Sequence, residues 1–126
     1  MRRKALKPTE RELAILKILW MNGPATVRQV HEQIQKKQPT GYTTTLKFMQ
    51  IMNEKGLLSR TISSGKHIYQ PEISESQIQK GMLTDVMEKV FSGSASKLVM
   101  NLFSDGDIPD SEMSKIKDYL DNLDTE

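Results

Sequence analysis

Between Gly41 and Gly56 the chain reads "GYTTTLKFMQIMNEKG", and four of its polar side chains, Thr43, Thr44, Lys47 and Gln50, recur at helical spacing. On a helix they share one side. Two hydroxyls, an ammonium and a primary amide on one surface are equipped to read base edges. Short hydroxyls allow close approach and their methyls meet thymine methyls; Lys47 can reach guanine O6/N7 or a phosphate, and Gln50 can pair with adenine. Threonine is a mediocre helix former, because its β-branched side chain loses χ1 freedom. A helix that opens on three of them therefore needs a reason beyond propensity. The alternative is a hydroxyl-rich cap region on a solvated face.

The elements that would hold this surface can be traced from cap to cap. Thr9 with Glu12 forms a capping box that starts a first helix, whose apolar face is Leu13, Leu16, Ile18, Leu19 and Trp20, and "NGP" at Asn22–Pro24 stops it. Thr26 with Gln29 starts a second, with Val27, Val30 and Ile34 inward. In the third, Thr45, Phe48, Met49 and Met52 form the stripe expected to pack on the first two, and Gly56 suits a left-handed C-cap. Leu58, Arg60 and Ile62 then alternate with polar residues, Ser63–Lys66 makes a turn, and Ile68 and Tyr69 follow: a β-hairpin ending at Pro71. Three helices and a hairpin within about seventy residues is the order of a winged helix-turn-helix, in which the third helix enters the major groove and the hairpin lies on the backbone.

Charge divides the chain at the same place. Residues 1–70 carry thirteen Lys and Arg against four acids; residues 71–126 carry five lysines against twelve acids. A basic half beside an acidic one points to nucleic-acid contact by the basic part. Arg28 early in the second helix, Arg60 on the first strand, and Lys66 and His67 at the hairpin turn are the expected phosphate contacts. Arg2, Arg3 and Lys4 form a tail that either touches DNA or is mobile.

The acidic half opens with another capping box, Ser74 with Gln77, and a long helix to about Phe91. "SGSAS" breaks it, "KLVMNLF" is a short apolar helix, and Ser111–Leu123 is the last. About fifty residues in this form are too few for a good core. The stripe Ile78, Met82, Val86, Val90 and Phe91, with Leu98, Leu102, Phe103 and Leu120, is therefore expected to meet a second copy, which would also set two recognition helices on successive major-groove turns. The alternative is a monomeric cap on the wing lobe. The expected architecture is thus mainly α with a small β-hairpin wing, a DNA-binding lobe over residues 1–71 and a helical dimerisation lobe over 72–126.

"PTERELAILKILW", "ATVRQVHEQI", "YTTTLKFMQIMNEKGLLSR" and "HIYQP" together resemble the penicillinase-repressor family of bacterial transcription regulators, of the BlaI/MecI/CopY type. The resemblance covers nearly the whole chain and is strongest from Pro8 to Pro71. It implies a homodimeric repressor on a palindromic operator, with Thr43, Thr44 and Lys47 as base readers. It also implies relief by a membrane sensor-protease that cuts an Asn-Phe bond in the dimerisation lobe. Here Asn101 is followed by Leu102, with Phe103 one place later, so the site departs from that pattern. Asn101-Leu102 is either the scissile bond or part of an apolar packing helix without a regulatory role. The copper-responsive branch carries a cysteine-rich C-terminal motif, and this chain has no cysteine.

Other chemistry finds little to stand on. "HEQIQ" begins like the zinc-protease helix, but Gln35 stands where the second histidine ligand belongs. "DGDIPDSEMSKI" fails as a calcium loop, with Asp110 where glycine belongs and Ile116 where a bidentate glutamate belongs. No phosphate-binding loop or dinucleotide fingerprint is present, and no cofactor or enzymatic activity is expected. A winged-helix module that binds protein, or a regulator controlled by a ligand without cleavage, is the competing reading. The methionines, Met49, Met52, Met82, Met87 and Met100 among them, either line an adaptable pocket or fill the core. The basic N-terminus has no apolar stretch behind it, so a secretory signal is not expected and the cytoplasm is the expected location.

Overall fold

The computed structural model describes residues 7–123; the Arg2–Lys4 tail lies outside them. Six helices and a hairpin follow in order: α1 (Glu10–Asn22), α2 (Val27–Lys37), α3 (Tyr42–Lys55), β1 (Leu58–Ser63), β2 (Lys66–Pro71), α4 (Glu75–Val90), α5 (Ala95–Ser104) and α6 (Asp110–Leu123). The described residues form two compact units, divided between Leu83 and Thr84.

In the first unit the capping boxes are made as the sequence leads one to expect. Thr9 Oγ1 accepts from the Glu12 amide while Glu12 Oε1 accepts from the Thr9 amide. Thr26 and Gln29 repeat the exchange, as do Ser74 and Gln77. Each satisfies two orphan amides at a helix start. The α3 helix ends on Gly56, whose φ of 87° is the left-handed conformation that a side chain would strain.

The buried centre is made by Ile15, Leu16 and Leu19 of α1, Val27 and Val30 of α2, Met49 and Met52 of α3, and Leu57, Leu58 and Tyr69 around the hairpin. Ile15, absent from the apolar face expected for α1, is fully buried, while Leu13, Ile18 and Trp20 are only half-buried. Met49 and Met52 fill the core; Met82 and Met87 are half-buried and Met100 is exposed.

Glu12 is also buried, and it serves as more than a cap. Its Oε2 lies 2.8 Å from Lys55 Nζ, an ion pair tying the start of α1 to the end of α3. Burial alone would raise its pKa, but hydrogen bonds from Lys55 and Thr9 and the charge of Lys55 outweigh it and hold the carboxyl below its ordinary value.

The hairpin is antiparallel with Leu58 opposite Pro71, Arg60 opposite Tyr69 and Ser63 opposite Lys66. Ser64 and Gly65 both have positive φ, 51° and 76°. That is the two-residue turn whose twist matches a hairpin. A bridge joins β2 to the α1–α2 connection: Ala25 and Tyr69 exchange backbone hydrogen bonds of 3.0 and 2.8 Å. This third strand-like contact seats the wing against the helices. Beyond Pro71 the chain stays attached, since Trp20 Nε1 donates to the Ile73 carbonyl and Ile78 is buried.

The second unit takes in the end of α4 with α5 and α6. No residue from 84 to 123 is buried. Val86, Val90, Val99, Met100, Leu102, Tyr119, Leu120 and Leu123 are all exposed. No helix among the described residues is long and apolar enough to cross a membrane.

Candidate nucleic-acid interface

The α3 helix is sorted into two sides by burial. Thr45, Met49 and Met52 are buried and Phe48 is half-buried, whereas Thr43, Thr44, Lys47 and Gln50 are all exposed. Its N-cap is Gly41, which offers no side-chain hydrogen bond, so none of the threonines serves as the cap. The third threonine is spoken for: Thr45 Oγ1 lies 2.9 Å from His31 Nδ1. Among the described residues the side chains of Thr43, Thr44 and Lys47 have no hydrogen-bond or ion-pair partner, which leaves them available to a ligand.

Beside α3 runs a groove between the start of α2, one side of α3 and the hairpin. It is lined by Thr26, Val27, Arg28, Gln29, Tyr42, Leu46, Gln50, Arg60, Gly65, Lys66, His67 and Tyr69. Arg28, Arg60, Lys66 and His67, the four expected phosphate contacts, thus lie on one concavity with Gln50. Among the described residues no Asp or Glu lines it. Three elements supply its charge, because the Ala25–Tyr69 bridge holds the hairpin against the α2 start.

Two arginines of the groove rest on aromatic rings. Arg60 Cζ stands 6.0 Å from the Tyr69 ring centroid, and its Nη1 donates to Tyr69 Oη at 3.2 Å. This gives the buried tyrosine a partner for its polar end. Arg28 Cζ lies 5.5 Å from the Tyr42 centroid. Tyr42 in turn meets the His31 ring edge-on at 5.5 Å. His31 is half-buried. Tyr42 was not among the residues singled out from sequence; its position directly before the threonines was the available signal.

The residues considered for assembly and cleavage fall in the second unit, with two exceptions. Ile78 and Met82 belong to the first, and Ile78 is covered within the chain itself. Val86, Val90, Leu102 and Leu120 are exposed; Met82, Phe91, Leu98 and Phe103 are half-buried. Asn101 and Leu102 lie within α5, both exposed, and Asn101 Nδ2 donates to the Lys97 carbonyl one turn back.

Three helices, a β-hairpin wing and an exposed, hydroxyl-rich face on the third helix define a winged helix-turn-helix. The penicillinase repressor family model matches residues 8–122. The chain belongs to that family, one of transcriptional regulators and not of enzymes. It is 30% identical over 77 residues to the transcriptional regulator BlaI of Mycobacterium tuberculosis, a stretch covering 60% of this chain and 56% of that regulator's length. It is 22% identical to the methicillin resistance regulatory protein MecI of Staphylococcus aureus over 93% of this chain and 95% of MecI. With the Staphylococcus aureus penicillinase repressor the identity is 20% over 98% of both. Among solved structures, a point mutant of Lactococcus lactis ZitR aligns with a TM-score of 0.47 and 16% identity, over 99% of this chain and 79% of that one.

Proposed function

We propose that this protein is a cytoplasmic transcriptional repressor that binds a palindromic operator as a homodimer. Its DNA-binding lobe is residues 1–71 and its dimerisation lobe residues 72–126. The observation that carries the reading is the coincidence of two surfaces on the first unit. An exposed face of Thr43, Thr44, Lys47 and Gln50 adjoins an acid-free groove that gathers Arg28, Arg60, Lys66 and His67. The first set has the donors and acceptors of a base reader, and the second the charge that fixes a protein on the phosphate backbone. Membership of a repressor family supports it.

Support for the homodimer comes from the second unit. Exposed apolar side chains from three helices, with none buried, match a surface that is completed by a second copy. The partner-facing stripe excludes Ile78, which is already covered, and centres on Val86, Val90, Leu102 and Leu120.

Relief by a membrane sensor-protease at Asn101-Leu102 is the finer part of the reading. The bond is exposed and its helix buries no side chain, so α5 can open at low cost. A protease needs extended backbone, and cutting there requires α5 to unwind first. The competing protein-binding reading needs an apolar patch on the first unit. The exposed large apolar residues of its wing portion, Met21, Tyr42, Ile51 and Ile62, are instead spread over α1, α3 and β1.

Fluorescence anisotropy tests the reading, using the full-length protein on the DNA upstream of its gene and on a scrambled duplex. Specific binding is expected to exceed non-specific binding by roughly 10³-fold or more. With six to ten phosphate contacts, affinity falls about 10³–10⁵-fold between roughly 50 and 200 mM salt. Equal, weak binding to both duplexes would remove the operator from this reading.

A further inference from the structure

We infer that Tyr42 is a positioning residue for DNA binding: its ring holds the Arg28 guanidinium ready, at the groove, for a backbone phosphate. The inference rests on the DNA-binding reading of the first unit.

Among the described residues of the first unit three arginines stand over aromatic rings, and they differ in what remains free. Arg11, over Phe48, also donates to Thr40 Oγ1, and Arg60, over Tyr69, donates to Tyr69 Oη. Arg28, over Tyr42, has no hydrogen bond among the described residues. A contact between a guanidinium and a ring uses the cation's charge and commits none of its five N–H donors. Arg28 is therefore the one of the three whose donors are all unused while its position is restrained. An arginine on a bare helix surface gives up rotamer freedom when it meets a phosphate; one already resting on a ring has given up much of it beforehand.

The ring is itself held. Arg28 and His31 stand three residues apart on α2, and Tyr42 and Thr45 three apart on α3, so each pair lies along one helix face. His31 meets Tyr42 edge-on and pairs with Thr45, a buried hydroxyl. The α3 helix is gripped at its first turn, one residue before Thr43, and the Tyr42 face that supports Arg28 is fixed by the same grip. Tyr42 is 41% exposed, so its ring forms part of the groove wall and is not simply core.

The salt dependence of binding separates this role from a general structural one. Log affinity against log salt has a slope of about −0.9 per phosphate neutralised, and losing one contact lowers its magnitude by about 0.9. Slopes would be measured for full-length wild type, Arg28→Ala, Tyr42→Leu, Tyr42→Phe and the Arg28→Ala/Tyr42→Leu double variant, on the upstream and scrambled duplexes. Arg28→Ala is expected to lower the magnitude by about 0.9; Tyr42→Leu, which loosens Arg28 without removing it, is expected to weaken binding about 2–10-fold in wild type and not in Arg28→Ala, and Tyr42→Phe is expected to do neither. A Tyr42→Leu protein that binds as tightly as wild type, or a Tyr42→Leu loss that is equally large in Arg28→Ala, overturns the inference, and so does a wild-type slope in Arg28→Ala; in each case binding by the wild type leaves the DNA reading standing. Absence of binding to any duplex by the wild type removes both. Should Tyr42→Leu fail to fold, ¹⁵N relaxation of Arg28 Nε in the DNA-free wild type and Tyr42→Phe proteins reads the contact directly. An order parameter above about 0.6 in both supports it, and a lower value in either overturns it.

Discussion

The first unit closes Leu16, Val30, Met49 and Tyr69 into a core drawn from three helices and a hairpin, while from residue 84 to residue 123 no side chain is buried. Both stretches have helices with apolar stripes. The difference lies in what each stripe finds within its own chain. The α1, α2 and α3 stripes converge, and the hairpin caps them through Leu58 and Tyr69. Val86, Val90, Leu102 and Leu120 have no such cover. The ion pairs follow suit. Glu12–Lys55 joins residues 43 apart, whereas Lys89–Asp85 and Lys115–Glu112 only join neighbouring turns of one helix. A unit held together by long-range contacts can fold within one chain, and the exposed stripe of the other is where the proposed second copy would sit.

Breaking the proposed second-copy surface has the largest expected effect. Val86→Asp or Val90→Asp would place an unpaired carboxylate in the dimer interface, at a cost of about 3 kcal/mol or more, a weakening beyond 100-fold. Sedimentation equilibrium at micromolar concentration should find a monomer. A variant that stays dimeric would mean that the exposed stripe of α4 meets something else. In the first unit, Leu16→Ala is expected to cost about 2–5 kcal/mol in urea unfolding, the range for emptying a close-packed site. Leu102→Ala in an isolated monomer should cost less than about 0.5 kcal/mol, because the side chain is 55% exposed. Similar losses at Leu16 and Leu102 in monomeric protein would erase the contrast between the units.

The proposed DNA interface, by contrast, lies on the first unit. Lys47→Ala is expected to weaken specific binding by about 1–3 kcal/mol and non-specific binding much less, the mark of a base reader. Equal losses would make Lys47 a phosphate contact. Lys115→Ala, in the acidic unit, should leave both affinities unchanged.

Local signals explain which of these features could be read from sequence. Each capping box joins residues three apart, so Thr9, Thr26 and Ser74 announced their helices. The two sides of α3 follow from a 3.6-residue period, and the Ser64-Gly65 turn from its composition. What escaped was non-local. Glu12 looks like a solvated capping residue until Lys55 is brought to it by the fold. Ala25 carries no strand signal, and its pairing with Tyr69 depends on where the hairpin lands. The support of Arg28 by Tyr42 spans two helices and a turn. Ile78 and Val86 sit on one stripe of α4, and periodicity could not tell that the first is covered within the chain and the second is not.

A smaller effect concerns the buried end of the Glu12–Lys55 pair, and pH gives it a sign. A carboxyl whose folded pKa lies below its unfolded value adds stability above the unfolded value, near 4.5, and loses it as pH falls through the folded value. Lys55→Met removes the Lys55 hydrogen bond and charge, leaving only the Thr9 hydrogen bonds to oppose burial. The lysine is 48% exposed, so screening limits the loss to about 1 kcal/mol at neutral pH. Urea unfolding at a series of pH values should find that difference present from about pH 7 to 5 and closing as Glu12 protonates. A difference that persists unchanged to about pH 3 would trace the loss to the packing of the lysine stem instead. The same substitution at Lys89, whose partner is one turn away on α4, should cost no more than about 0.5 kcal/mol at neutral pH, because an exposed pair within one helix ties nothing distant together.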